Sequence, residues 1–372
     1  MGRWETKAAD DVGLDERRLN EALDYHLHHH SKWPADFLMP GKRYIGIDDE
    51  PDRLPGVDGY VPGVLGPVRP RGAPNGLVVR HGVIAAEWGD TRRADMSFSI
   101  AKSYLAVLAG LAVARGLIRD IDDRVADYAI DDGFSSAQNR AITWRHLLQQ
   151  TSEWQGILWG KPDSIDNNRD VGKSELGNSE KGRVRALRTP GTLWEYNDVR
   201  VNRLSLSLLQ LFREPLPDVL RSAIMAPIGA SGSWRWEPYR NSWATVGERR
   251  LPSVPGGSHW GGGLWMATRD HARFGVLVAR GGRWGSRELL PATWVEEMRR
   301  PSALNPDYGL LWWLNTGGRA CPAAPESCFA ARGAGSNVIW VDPGHDLVVV
   351  VRWIDKPSVG GFLERVIAAV KR

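Results

Sequence analysis

Apolar and polar positions along the chain outline a sequence of elements. Leu14, Leu19, Leu23 and Leu27 recur at helical intervals among charged residues and predict an amphipathic helix over residues 13–30. The Gly/Pro-rich stretch LPGVDGYVPGVLGPVRPRGAPNG then predicts loop. LVVRHGVIAAEWGD carries two β-rich runs around His81-Gly82, the pattern of a tight hairpin. ADMSFSIAKSYLAVLAGLAVARG, residues 94–116, predicts a buried helix. From about Asp120 to Gly285 the pattern is mostly helical, as in TWRHLLQQ and RVNRLSLSLLQLFR, with Pro215, Pro217 and Pro227 as punctuation. One segment, WQGILWGKPDSIDNNRDVGKSELGNSEKGRVRALRTPG, has no apolar period, and loops of that length are functional or disordered. NVIWVDPGHDLVVVVRWI is the clearest hairpin, and VGGFLERVIAAVKR closes the chain as an amphipathic helix.

Strands early and late with helices between them predict an α/β (α+β) fold. One antiparallel sheet, residues 1–119 and 286–372, is flanked by N- and C-terminal helices, and a mostly helical domain, residues 120–285, is inserted. A cleft is expected where the insertion meets the sheet. A length of 372 residues agrees with two lobes. Lys and Arg total 48 against 44 Asp and Glu, interspersed, so nothing points to a nucleic-acid partner. The longest apolar run, Leu105 to Ile118, is broken by Arg115 and falls short of the ~20 residues that span a bilayer. The polar start MGRWETKAADDVGLDERRL lacks the apolar stretch of a signal peptide, so a cytoplasmic protein without a membrane partner is expected. Cys321 and Cys328 form no disulfide framework or zinc-ligand spacing and are expected as free thiols, a bridge being the alternative.

The helix over residues 94–116 raises a chemical question, because Lys102 would point into the same interior as its apolar residues. Ser99 lies three residues earlier and therefore on the same face. A serine hydroxyl becomes nucleophilic when a base takes its proton, and a buried lysine has the lowered pKa that role needs. The Ser99 amide at the helix start is placed to stabilise an oxyanion. Tyr196, ahead of another apolar helix, can pass protons if a nearby lysine charge depresses its pKa, and Asp198 can orient Lys102 or simply cap the helix. FAARGAGSNVIWVD interrupts a strand with glycines, which mark close approach of a backbone or ligand.

Together Ser99-Ile-Ala-Lys102, Tyr196-Asn-Asp198 and Ala331-Arg332-Gly333 resemble the three motifs of class C β-lactamases and their relatives: penicillin-binding DD-peptidases, family VIII carboxylesterases and 6-aminohexanoate-dimer hydrolases. LVVRHGVIAAEWG, ITWRHLLQQTSEW and GGGLWMATRDHARFG resemble flanking segments of the same family, from about Gly76 onward. The resemblance implies Ser99 as acylated nucleophile, Lys102 as its proton-transfer partner and Tyr196 as general base. Oxyanion amides would come from Ser99 and from Ala334, just after Gly333. Trp154 and Trp159 would fall near the substrate pocket, with His259 and Arg332 as further lining residues. Two positions depart from the pattern. Asp198 stands where the family usually has asparagine, which favours a protonated Lys102 and moves the base role toward Tyr196. Ala331 replaces a lysine or histidine that helps bind the β-lactam carboxylate.

His26, His28, His29 and His30 could capture a metal, but a third ligand is not evident, and a solvated helix end is expected. Gly-x-Ser-x-Gly, His-Glu-x-x-His and phosphate-loop motifs are missing from the sequence. The expectation is a serine hydrolase acting through an acyl-enzyme on a small-molecule ester or amide, with no metal or cofactor. A β-lactamase or DD-peptidase is the alternative within the fold, and a catalytically silent ligand-binding protein the alternative outside enzymes.

Overall fold

A computed structural model describes residues 4–47, 50–171 and 180–371; part of the long unpatterned segment, residues 172–179, lies outside them. The first long helix is α1 (Glu16–His28), followed by strands β1 (Asn75–Arg80), β2 (Val83–Trp88) and β3 (Ala94–Met96) and helix α2 (Ile100–Ala114). Then come α3 (Asp198–Phe212), β4 (Arg235–Glu237), β5 (Gly263–Ala267) and α4 (Thr268–Ala279). The chain ends with β6 (Trp313–Leu314), β7 (Phe329–Gly333), β8 (Asn337–Asp342), β9 (Leu347–Arg352) and α5 (Val359–Ala368).

Six strands form one antiparallel sheet in the order β6-β7-β8-β9-β1-β2, so β1 from the first third of the chain pairs with β9 near its end, Asn75 opposite Arg352. His81 and Gly82 turn β1 into β2 with φ of 52° and 80°, the left-handed pair that a two-residue hairpin requires. The unbroken apolar run of β9 follows from cover on both sides. Leu347, Val349 and Val351 join Val78, Val338 and Trp340 under α1 and α5, while Val348 and Val350 join Ile339 and Val341 beneath α2 and α4. Helix α4 presses closely on the sheet: a Cβ on Gly275 would stand 2.5 Å from Val348 Cγ1. Helix α2 is buried on every face from Ile100 to Ala112. A smaller antiparallel sheet, β3-β5-β4, sits beside it. This mixture of helices and antiparallel sheet is the architecture expected from the sequence.

The histidine cluster differs from expectation. His26 lies on the same face of α1 as Leu19 and Ala22 and is fully buried, accepting a 2.9 Å hydrogen bond from Trp88 Nε1. Burial lowers its pKa to about 4. Only His28, His29 and His30 form the solvated end, each turned onto a carbonyl of its own helix. Cys321 and Cys328 are buried free thiols. Among the described residues no helix is long and apolar enough to cross a membrane.

Candidate active site

The turn from β3 into α2 carries strain. Phe98 adopts φ 50°, a left-handed conformation that costs a non-glycine residue free energy and persists only when its surroundings impose it. Here Trp33, Phe37 and Trp353 pack edge-on around its ring at 5.6–6.3 Å. Ser99 follows as the helix N-cap, and one turn later Lys102 points inward, its Nζ donating to Ser99 Oγ at 2.9 Å and to the Gly256 carbonyl at 3.3 Å. The same ammonium is paired with Asp198 Oδ1. Gly257 roofs this cluster; a Cβ there would stand 3.2 Å from Lys102 Nζ and 3.5 Å from Ser99 Oγ.

Asn197, rather than Asp198, caps α3: its side chain accepts from the Arg200 amide at 3.1 Å. Asp198 is thereby free to act as a buried counter-ion. Its Oδ2 receives Arg169 at 2.5 Å and lies 3.4 Å from His259 Nδ1, while its amide donates to Asp166 Oδ2 at 2.8 Å. Burial alone would raise the Asp198 pKa, but Lys102, Arg169 and His259 overcome it and hold the carboxyl far below the usual range. Lys102 is pulled both ways; burial, aided by Arg169, lowers its pKa overall against the pull of Asp198 and Asp166. Tyr196 lies beneath the ammonium, Lys102 Nζ standing 4.8 Å from the ring centre. Its hydroxyl departs from the sequence reading, because burial and the Asp198 charge push its pKa up, against the pull of Ser99 and Arg169.

The end of β7 reaches the start of α2. A Cβ on Gly333 would stand 2.3 Å from the Ser97 carbonyl and 3.4 Å from the Ile100 amide, so the glycine permits the approach that brings Ala334 beside the serine turn. Asn337 Nδ2 fixes the Ala334 carbonyl at 2.6 Å. Of the remaining sequence candidates, His259 reaches Asp198 directly and Arg332 reaches Tyr196 through Trp313, whereas the contacts of Trp154 and Trp159 lie with Gly133 and Tyr239. Arg332 lies 5.9 Å over the Trp313 ring, and its buried Nε has no partner among the described residues. Trp313 in turn stacks on Tyr196 at 6.0 Å. Trp154 is buried, its indole tied to the Gly133 carbonyl at 2.8 Å, and Trp159 packs edge-on against Tyr239. His259 is buried between two carboxylates, Asp198 and Glu50.

The sequence reading did not single out Glu50, Lys161, Asp166, Arg169, Trp313 or Gly257. The signal available for Asp166 and Arg169 was the Asp/Arg content of the long unpatterned loop, together with the need of a buried Asp198 for counter-charges.

The beta-lactamase family model matches residues 82–365. Similar solved structures include a beta-lactamase from Mycobacterium bovis (20% identity, 81% of this chain and 96% of that one, TM-score 0.54). A penicillin-binding protein homologue from Caulobacter crescentus has 14% identity over 96% and 99% of the two chains and a TM-score of 0.59. EstCE1, described as a hydrolase with promiscuous acyltransferase activity, has 16% identity over 83% and 94% and a TM-score of 0.56. At these identities the likeness is one of fold. No curated protein matches the sequence. With the model match spanning most of its length, including the serine turn, Tyr196 and the end of β7, the chain belongs to the beta-lactamase family.

Proposed function

We propose that this protein is a serine hydrolase that cleaves small carboxylic esters or amides through an acyl-enzyme on Ser99. The observation that carries the reading is the 2.9 Å contact between Lys102 Nζ and Ser99 Oγ inside a buried, charge-compensated cluster. Lys102, with its pKa lowered by burial, takes the Ser99 proton as Oγ attacks the carbonyl; Asp198 then stabilises the ammonium that forms. Tyr196, held as a neutral phenol, is suited to donate its proton to the departing alkoxide or amine and to recover one from Lys102. The amides of Ser99 and Ala334 are the oxyanion donors in this reading. Water entering after the leaving group departs releases the acid and restores Ser99. No step calls on a metal or an organic cofactor. Ala331 in place of a cationic side chain supports esters or simple amides over β-lactams as substrates.

Two measurements test the reading. Treatment with a fluorophosphonate followed by mass spectrometry is expected to place the adduct on Ser99; an unlabelled serine would instead indicate a silent binding protein. A panel of p-nitrophenyl esters, amides and a chromogenic cephalosporin, run with wild type and Ser99→Ala, is expected to show turnover of the esters that the variant abolishes. Cephalosporin turnover as fast as that of the esters would favour the β-lactamase alternative.

A further inference from the structure

A second buried charge cluster adjoins the site, and one of its members, Glu50, comes from outside the family-matched region. Glu50, carried by the long loop before β1, is buried and accepts from Lys161 Nζ at 2.9 Å and Trp260 Nε1 at 2.7 Å. Its Oε1 also lies 3.0 Å from His259 Nε2. The other ring nitrogen of His259 faces Asp198 Oδ2 at 3.4 Å, and Asp198 Oδ1 faces Lys102. The four side chains form one line from the loop to the nucleophile.

We propose that Glu50 and His259 form a relay that acts on Lys102 through Asp198, with His259 as a positioning residue for the serine chemistry; this rests on the reading of Ser99 and Lys102 given above. An ionised carboxylate oxygen only accepts hydrogen bonds. His259 turns Nε2 toward Glu50 and Nδ1 toward Asp198, so Glu50 fixes the orientation in which the ring faces Asp198. His259 and Arg169 then share Asp198 Oδ2, which reduces the field that Asp198 applies to Lys102. Each added positive charge near a lysine favours its neutral form. Lys102 can therefore give up its proton and receive that of Ser99 even though a carboxylate stands beside it.

Other groups bear on the same line. Around Lys102 these are Asp166, Arg169 and Tyr196; around Glu50 and His259 they are Lys161, Trp260 and Tyr60. Tyr239 faces Asp198 from the same side as Trp260. Glu50 pairs with Lys161 at 2.9 Å on the side away from the His259 contact, through Oε2 rather than Oε1. Its pKa, raised by burial, is brought down overall to about 2 by His259 and Lys161.

The experiment measures the rate of Ser99 labelling by a fluorophosphonate across pH for wild type, Glu50→Gln and His259→Asn. The acid-side midpoint reports loss of the Lys102 proton and is expected to rise by about one pH unit in both variants. A midpoint that stays in place, including one accompanied by equal slowing at every pH, overturns the relay. The wild-type protein provides a measurement that needs no variant to fold. In a 15N–1H correlation spectrum the His259 ring is expected to carry a proton on Nδ1, the nitrogen that faces Asp198. A ring protonated on Nε2 alone overturns the proposal. If wild type is never labelled, the hydrolase reading fails and takes the relay with it; labelling with unmoved midpoints removes the relay alone.

Discussion

The six-stranded sheet and the loops around Ser99 are both buried, yet they are held by opposite means. In the sheet, Val, Ile and Trp from β1, β8 and β9 fill both faces, and area removed from water supplies the stability. Around the site, Glu153 pairs with Arg185 and Arg200, Glu195 with Arg185, and Asp198 with Lys102 and Arg169. Buried ion pairs return little net stability after desolvation, but losing one partner is costly. The sheet therefore resembles a scaffold tolerant of apolar exchange, whereas the loop side is sensitive to charge and suited to chemistry.

The sharpest test of that division lies in catalysis. Tyr196→Phe removes one oxygen from the loop side and is expected to lower kcat by about 10²–10⁴-fold with little change in unfolding midpoint; a variant nearly as active as wild type would remove Tyr196 from the mechanism. Trp340→Ala empties space on the sheet side and is expected to cost about 3–5 kcal/mol in denaturant unfolding while turnover per folded molecule is kept. Turnover that fell in step with stability would break the comparison.

A subtler change is Asp198→Asn, which removes the counter-ion of Lys102. The acid-side midpoint of kcat/KM is expected to move down by about one pH unit, opposite to the shift expected for Glu50→Gln. A move upward would mean that Asp198 does not hold the ammonium.

The smallest effect concerns acid stability. Glu50 and Glu153 have folded pKa values of about 2 against an ordinary 4.5, because their cationic partners outweigh burial. Below 4.5 the unfolded chain binds more protons, so the stability they contribute is complete above that pH and is lost as pH falls toward 2. His26 acts earlier. Its folded pKa of about 4 against 6.5 means that the unfolded chain gains a proton first, and stability declines between those two values. Calorimetric Tm against pH is expected to show both segments, and His26→Leu is expected to flatten only the upper one.

Much of this architecture is legible in the sequence wherever the cause is local. The β1–β2 and β8–β9 hairpins follow from turn residues between β-rich runs, and Ser99 with Lys102 follows from spacing on one helix. Tyr196 was recognisable through the motif that carries it, but the direction of its pKa shift was not, since burial and Asp198 act through tertiary contacts. Asn197 and Asp198 are both good helix caps, and only the packing of α3 decides between them. Glu50 and Arg169 come from loops without periodicity, and nothing near them in the chain indicates that Arg169 reaches Asp198 or that Glu50 reaches His259. His26 shows the same limit: its place on the apolar face was implied by Leu19 and Ala22, but four neighbouring imidazoles obscured it.

The pairing of β1 with β9 has a consequence for biosynthesis. When the β1–β2 hairpin leaves the ribosome, the outer edge of β1 has no neighbour, and it stays open until β9 has been translated. Leu77, Val78 and Val79 line that edge, so the nascent chain carries a sticky template for mispairing throughout elongation. Completion of the sheet must then wait for β9, which makes this segment a natural client for chaperones.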